Sequence, residues 1–312
     1  MGWLTLWVVT ITVLVPDELG MTELSKVDGV RPLRYDLDQP LPDGYADATV
    51  LVPGFLTGNR PVELLPKLPR LEYVQLLTAG AEAWIDQVPA GVLLSTCRGA
   101  HSVSTAELVL GGLITLYRDL WEFAASQRAG KWERRVTDTL QGRRALIIGA
   151  GDVGDAIARA LRVFDVSTAM VGRTARDGVH GVADVPGLLG DVDIVVLVVP
   201  LTSQTTGLVD AAFLARMPDG AVLVNAARGP VVHTGALLAE LESGRLRAVL
   251  DVTDPEPLPA DHPLWTAPGL VLFPHQGGTC RAQFDRAWAI AAGEIGRFAR
   301  GEKPHNAVRG EY

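Results

Sequence analysis

Ala145-Leu146-Ile147-Ile148-Gly149-Ala150-Gly151-Asp152-Val153-Gly154 is an apolar run that breaks into spaced glycines. It then continues to about Phe164 with the apolar period of a helix. A strand that turns into a helix through Gly-x-Gly-x-x-Gly is the context in which this spacing carries meaning. Gly149 permits the tight turn, Gly151 lets a pyrophosphate approach the backbone, and Gly154 allows helix and strand to pack closely, while the helix N-terminus favours negative charge. The stretch predicts a dinucleotide site at Gly149, Gly151, Asp152, Val153 and Gly154, against the plain alternative of a glycine-rich turn.

Around this motif, strand-like runs lie at 145–148, 168–171, 193–199, 221–225, 247–250 and 270–273, most of them separated by helical segments. Six strands alternating with helices predict a doubly wound parallel sheet. Before it, shorter runs at 9–15, 48–52, 73–77 and 91–95 make a smaller α/β unit. Ser102 to about Lys131 keeps one helical period through Ala106, Leu110, Leu113, Leu116 and Leu120, with Ser102 or Ser104 as cap. Ala282 to Arg300 reads as a helix that returns to the first unit and closes a discontinuous domain.

At about 150 residues per domain, 312 residues suggest two domains, and 48% hydrophobic residues are enough for a core in each. A net charge of -8 without a long Lys/Arg run argues against nucleic acid and anionic membrane as partners. The uncharged start, Met1 to Val15, lacks a basic n-region and is too short to span a bilayer; residues 1–7 read as a ragged extension before a strand ending at Pro16. Cys97 and Cys280 have neither zinc nor disulfide spacing, which predicts free thiols, no metal, and a reducing, cytoplasmic setting. Both fall near the expected domain crossings, where a redox latch is the alternative to two inert thiols.

The second strand of a dinucleotide fold usually ends on a carboxylate that holds the adenosine ribose. Here Met170-Val171 runs into Gly172-Arg173-Thr174-Ala175-Arg176, with no acid in that place. Arg173 and Arg176 offer forked donors to a 2'-phosphate and Thr174 adds a hydroxyl, which favours NADP(H) over NAD(H).

Ligands of open α/β sheets bind beyond the carboxyl ends of the strands. Three such ends carry unusual chemistry: Ala226-Ala227-Arg228-Gly229, Asp251 with Glu256-Pro257, and Pro274-His275-Gln276-Gly277. Reduction of a 2-keto acid needs a cation for the carboxylate, a hydride donor, and an acid for the developing oxyanion. Arg228 suits the first need, and His275 supported by Glu256 suits the third. His101, His180, His233, His262 and His305 have no matching carboxylate and arginine and are assigned no chemistry.

From about Val74 onward the sequence resembles the D-isomer-specific 2-hydroxyacid dehydrogenase family. The resemblance rests on Leu77-Thr-Ala-Gly80, Ser104-Thr-Ala-Glu107, the glycine fingerprint, Val199-Pro-Leu-Thr202 with Thr205, Val224-Asn-Ala-Ala-Arg-Gly229, Leu250-Asp-Val252, Pro255-Glu-Pro-Leu258 and Pro274-His275. It implies two Rossmann-like domains: a cofactor domain over 98–282, and a smaller flavodoxin-like, discontinuous substrate domain over 1–97 and 283–312. It also implies that Arg228, Glu256 and His275 are catalytic on a small 2-keto acid or 2-hydroxy acid. Asp251 would hold the nicotinamide amide; Val199, Pro200, Thr205, Ala226, Ala227 and Gly277 would line the cofactor; Thr78, Ala79 and Gly80 would receive the substrate carboxylate together with Arg228 and His275. The basic 172–176 segment resembles the glyoxylate and hydroxypyruvate reductases of the family. Arg98 and Gln276 depart from the usual pattern. A homodimer is implied, with the long helix carrying Trp121 and Trp132 resembling a dimer arm. The family also contains dinucleotide-sensing corepressors without turnover, so a silent binding protein is the alternative, as is a dehydrogenase of a specialised biosynthetic acid.

Overall fold

The computed structural model describes residues 10–55 and 57–308. From the N-terminus the chain runs β1 (Ile11–Val15), α1 (Glu18–Leu24), β2 (Val30–Arg34), β3 (Ala48–Leu51), β4 (Tyr73–Gln75), β5 (Leu93–Ser95), α2 (Ser102–Tyr117) and α3 (Leu120–Arg128). It continues through β6 (Arg144–Ile148), α4 (Asp152–Arg162), β7 (Ser167–Gly172), β8 (His180–Gly181), α5 (Val185–Leu188), β9 (Ile194–Leu197) and α6 (Ala211–Leu214). Then come β10 (Val222–Asn225), α7 (Thr234–Glu242), β11 (Arg247–Leu250), β12 (Leu270–Leu272) and α8 (Arg281–Ala299). The chain divides into two compact units, one made of the residues up to Ala100 and those from Arg281, the other of His101–Cys280.

In the first unit the strand order is β2-β1-β3-β4-β5, parallel throughout, which is the flavodoxin-like order. Alternate residues of β1 enter different cores: Val13 and Val15 pack with Trp288 and Ile295 of α8, whereas Leu14 packs with Leu64 and Trp84. The period of two along a strand is thus what binds the C-terminal helix to the N-terminal unit. Strand β2 escapes a reading of the sequence because Pro32 interrupts it. At the edge of the sheet, beside β1 alone, the missing N–H is tolerated. Val9, expected in the first strand, and residues 1–7 lie outside the described residues. Cys97 and Cys280 are free thiols. Burial pushes the Cys97 thiol up to about 12, and it donates to Ala287 O at 3.2 Å, so it is inert near neutral pH and unsuited to a redox latch.

The second unit has the order β12-β11-β10-β9-β6-β7-β8, again all parallel. The six expected strands are joined by a two-residue seventh, β8. Leu146, Ile148, Val195, Leu197 and Leu223 fill the core on one face, and Ala145, Ile147, Ile194, Val196 and Val224 the core on the other. Each fully buried aliphatic side chain of this kind contributes about 1.5–3 kcal/mol. Among the described residues no helix is long and apolar enough to cross a membrane.

The single helix expected from Ser102 to Lys131 is two helices. Asp119 takes a left-handed φ of 49°, which ends α2 and starts α3. Asp tolerates that conformation better than most residues, and the Asp138 N–H satisfies the Tyr117 carbonyl freed at the break, at 3.0 Å. Neither Ser102 nor Ser104 is the cap: His101 holds that position, and the Ser104 hydroxyl donates back to His101 O at 3.1 Å.

Candidate active site

The carboxyl ends of β12, β11, β10, β9, β6 and β7 stand in one row along the second unit. At the usual strand spacing that row is roughly 24 Å long. It carries, in order, His275, Asp251 with Glu256, Arg228, the 199–205 loop, the glycine loop, and the 173–176 segment. Parallel pairing is what collects them, since every strand presents the same end to this edge.

At the glycine loop the structure separates glycines that the fold demands from one that it does not. A Cβ on Gly149, whose φ is 126°, would lie 2.5 Å from Val198 O, and one on Gly154 would lie 2.0 Å from Gly149 O. Gly151 has an ordinary φ of -114°, and nothing stands within 4 Å of its Cβ position. No contact within the chain requires glycine there; the open approach to its backbone is what a pyrophosphate needs. The α4 N-terminus behind it has no side-chain cap, so the residues fit a dinucleotide phosphate. Arg176 folds back over this loop and donates from Nη2 to Ala150 O at 2.9 Å. Arg173 and Thr174 are exposed on the same segment.

The other expected cofactor contacts fare differently. Val199 is half-buried and Pro200 exposed. The Thr205 hydroxyl donates to Pro200 O at 2.6 Å and accepts the Thr202 N–H at 2.8 Å, so it shapes the turn that presents them. Ala226 is half-buried, whereas Ala227 turns its side chain into the core and is 3% exposed. Thr78, Ala79 and Gly80 are half-buried in the first unit just beyond β4, with the Thr78 hydroxyl donating to Gly80 O at 2.9 Å.

At the opposite end of the row, His275 Nδ1 lies 2.6 Å from Glu256 Oε1. An ionised carboxylate only accepts, so the proton on Nδ1 points to Glu256 and Nε2 is left for chemistry. His275 has a left-handed φ of 55°, disfavoured for a residue with a side chain. Asp251, 6% exposed, accepts the His275 N–H on its main-chain oxygen at 2.8 Å. Its carboxylate accepts the Gln276 N–H at 2.6 Å and the Gly277 N–H at 2.9 Å. Burial raises the Asp251 carboxyl above its ordinary value, opposed by those two amides. The Gln276 side chain donates to Pro274 O at 3.1 Å, within its own loop.

Arg228 is half-buried in the loop after β10. The residue that shapes this loop is Asn225, 1% exposed, whose amide donates to Arg228 O and accepts the Ala227 N–H, both at 3.0 Å. Its signal in the sequence was an uncharged polar residue closing an apolar strand. A Cβ on Gly229 would fall 1.8 Å from Thr253 O, and Thr234 Oγ1 donates to Asp254 O at 2.9 Å. Those contacts bring the Arg228 loop against the loop leading to Glu256. Asn225→Ala leaves the buried Ala227 N–H unpaired, at a cost of about 1–3 kcal/mol, while Arg228 O keeps the Val231 N–H at 3.2 Å. A lowered Tm together with a raised KM for the acid substrate, measured by thermal melts and steady-state kinetics, is the expected result.

Two of the remaining histidines take structural posts. His233 and His262 accept the N–H groups of Ala236 and Leu264 through Nδ1 at 3.1 and 3.2 Å, as helix caps. Among the described residues no group of His, Cys, Asp and Glu is placed to hold a metal ion.

The family model described as D-isomer specific 2-hydroxyacid dehydrogenase, NAD binding domain, matches residues 110–277. The glyoxylate/hydroxypyruvate reductase B of Citrobacter koseri is 31% identical over 310 residues, covering 94% of this chain and 95% of that protein. The D-3-phosphoglycerate dehydrogenase of Methanocaldococcus jannaschii is 31% identical over 229 residues, covering 70% of this chain, which spans 43% of that protein's length. Among solved structures, the D-isomer specific 2-hydroxyacid dehydrogenase from Xanthobacter autotrophicus Py2, in complex with NADPH and MES, superposes with a TM-score of 0.79 at 29% identity, covering 96% of this chain and 98% of that one.

Proposed function

For this chain, which belongs to the D-isomer-specific 2-hydroxyacid dehydrogenase family and is an NAD(P)-linked oxidoreductase, we propose the reduction of a small 2-keto acid of the glyoxylate or hydroxypyruvate kind, with NADPH preferred over NADH. The observation that carries the reading is the 2.6 Å contact between His275 and Glu256 beside the loop of Arg228, on the sheet edge that also holds the glycine loop. The reduced nicotinamide, when bound, supplies the hydride. Arg228 binds the substrate carboxylate and fixes the carbonyl. His275 Nε2 gives its proton to the carbonyl oxygen, and Glu256 stabilises the imidazolium before transfer and holds the ring in one tautomer. In the reverse direction neutral His275 takes the hydroxyl proton. The chemistry is that of the second unit.

Preference for NADPH is supported by the missing acid after β7 and by Arg176 lying over the glycine loop at 2.9 Å from Ala150 O. A second copy of the chain as partner is supported by Trp132, 92% exposed, and Val136, fully exposed, on the segment after α3. Two free cysteines support a cytoplasmic setting.

The test measures NADPH and NADH oxidation with glyoxylate, hydroxypyruvate and pyruvate, for the wild type and for Arg173→Ser/Arg176→Ser. Each charge-assisted hydrogen bond from an arginine to a 2'-phosphate is worth about 1.5–3 kcal/mol. The double variant is therefore expected to raise KM for NADPH at least about tenfold and to leave KM for NADH near its starting value. Equal effects on both cofactors would refute the preference, and no turnover of any of these acids would refute the substrate class.

A further inference from the structure

We propose that Asp251 is the positioning residue of the catalytic histidine, clamping the amides of His275, Gln276 and Gly277 so that the imidazole is held against Glu256. The inference rests on the reading of His275 as the proton donor. It goes beyond the role implied by resemblance, a contact to the nicotinamide amide, and its basis is the hydrogen bonds that Asp251 makes within the chain.

Three consecutive N–H groups converge on this one residue. His275 donates to its main-chain oxygen at 2.8 Å, Gln276 to Oδ1 at 2.6 Å and Gly277 to Oδ2 at 2.9 Å. Hydrogen bonds from amides to a carboxylate are short and strong, and at 6% exposure water competes poorly for this one. The clamp is rooted in the sheet, because the Asp251 N–H donates to Asn225 O at 2.9 Å and so extends the pairing of β10 with β11.

A left-handed φ at a residue with a side chain persists only where its surroundings over-determine it. At His275, with φ 55°, the three amide bonds supply that determination, and the outcome is the 2.6 Å contact of Nδ1 with Glu256. Gly277 completes the device, since a Cβ there would lie 2.6 Å from Asp251 Oδ2 and 3.3 Å from Thr105. Only glycine lets its amide approach the carboxylate.

The experiment uses the full chain and has three readouts, the first two taken without cofactor. In the wild type, hydrogen exchange reads the amides of Gln276 and Gly277; strong protection is expected, and exchange at the rate of an exposed loop would overturn the clamp whatever the variants do. Imidazole N–H resonances are then recorded for the wild type, for Glu256→Gln to assign the His275 signal, and for Asp251→Asn and Gly277→Ala. Asn places an NH2 group against one of the amides, and Ala pushes a methyl group onto the carboxylate, so the low-field His275 signal is expected to vanish in both variants. Steady-state kinetics at saturating cofactor should show kcat lower by about a hundredfold, the effect of a small misplacement of a reacting group. An intact His275 signal together with an unchanged kcat would overturn the clamp, whatever the Kd of NADPH does. Should His275→Ala keep its turnover, the mechanism falls, while exchange and resonance still judge the clamp.

Discussion

His275→Ala is expected to lower kcat about 10²- to 10⁴-fold while the KM for the keto acid changes little. That range is what a positioned general acid contributes. The imidazole meets Glu256 at 2.6 Å, so the same side chain is ordered in its tautomer and supplied with a counter-charge for its protonated form. Removing it deletes an interaction made mainly in the transition state, which lowers kcat and kcat/KM together. Single-turnover measurement of NADPH oxidation at saturating keto acid checks this, because it isolates the chemical step from product release. A kcat within about threefold of the wild type would show that the proton comes from another group.

Arg228→Ala is expected to raise KM and lower kcat together, with kcat/KM reduced by about 10²- to 10⁴-fold. A guanidinium that pairs with a carboxylate in a partly dry site contributes binding, and it also fixes the angle at which the carbonyl meets the hydride. Arg228 is half-buried and its loop is held by Asn225 and by the close approach of Gly229 to Thr253, so a side chain elsewhere cannot take over its place. Arg228→Lys keeps the charge without the fork, and should recover only part of the wild-type kcat/KM. Steady-state kinetics on 2-keto acids and on the matching aldehydes without a carboxylate distinguish the roles: the variant should be nearly as good as the wild type on the aldehyde. Equal losses on acid and aldehyde would remove Arg228 from carboxylate recognition.

Much of the molecule was legible before any coordinates. Apolar runs that enter both cores of a parallel sheet announce themselves, because both faces of such strands are buried; β6 and β9–β12 are of this kind. The glycine loop was legible for a similar reason, since its spacing has few other uses between a strand and a helix. Arg228, Glu256 and His275 stood out because an open α/β sheet binds its ligands beyond the carboxyl ends of its strands, where a charged or titratable side chain after an apolar run has chemistry to offer.

What escaped the sequence is what depends on contacts between distant segments. Strand β2 carries Pro32, and only its edge position makes that acceptable. The break at Asp119 lies inside an unbroken apolar period, and the Asp138 N–H, nineteen residues on, satisfies the carbonyl it frees. Ala227 and Ala226 are neighbours of one kind, yet the local turn sends the first into the core and leaves the second half-buried. Asp251 shows the difference most clearly. Its identity and its place after a strand were plain in the sequence, but which groups its carboxylate serves depends on a loop 25 positions away, brought to it by the pairing of β11 with β12. Local propensity and periodicity are properties of short stretches and survive in the sequence alone; the partner of a buried polar atom is settled only when the sheet places two strand ends side by side.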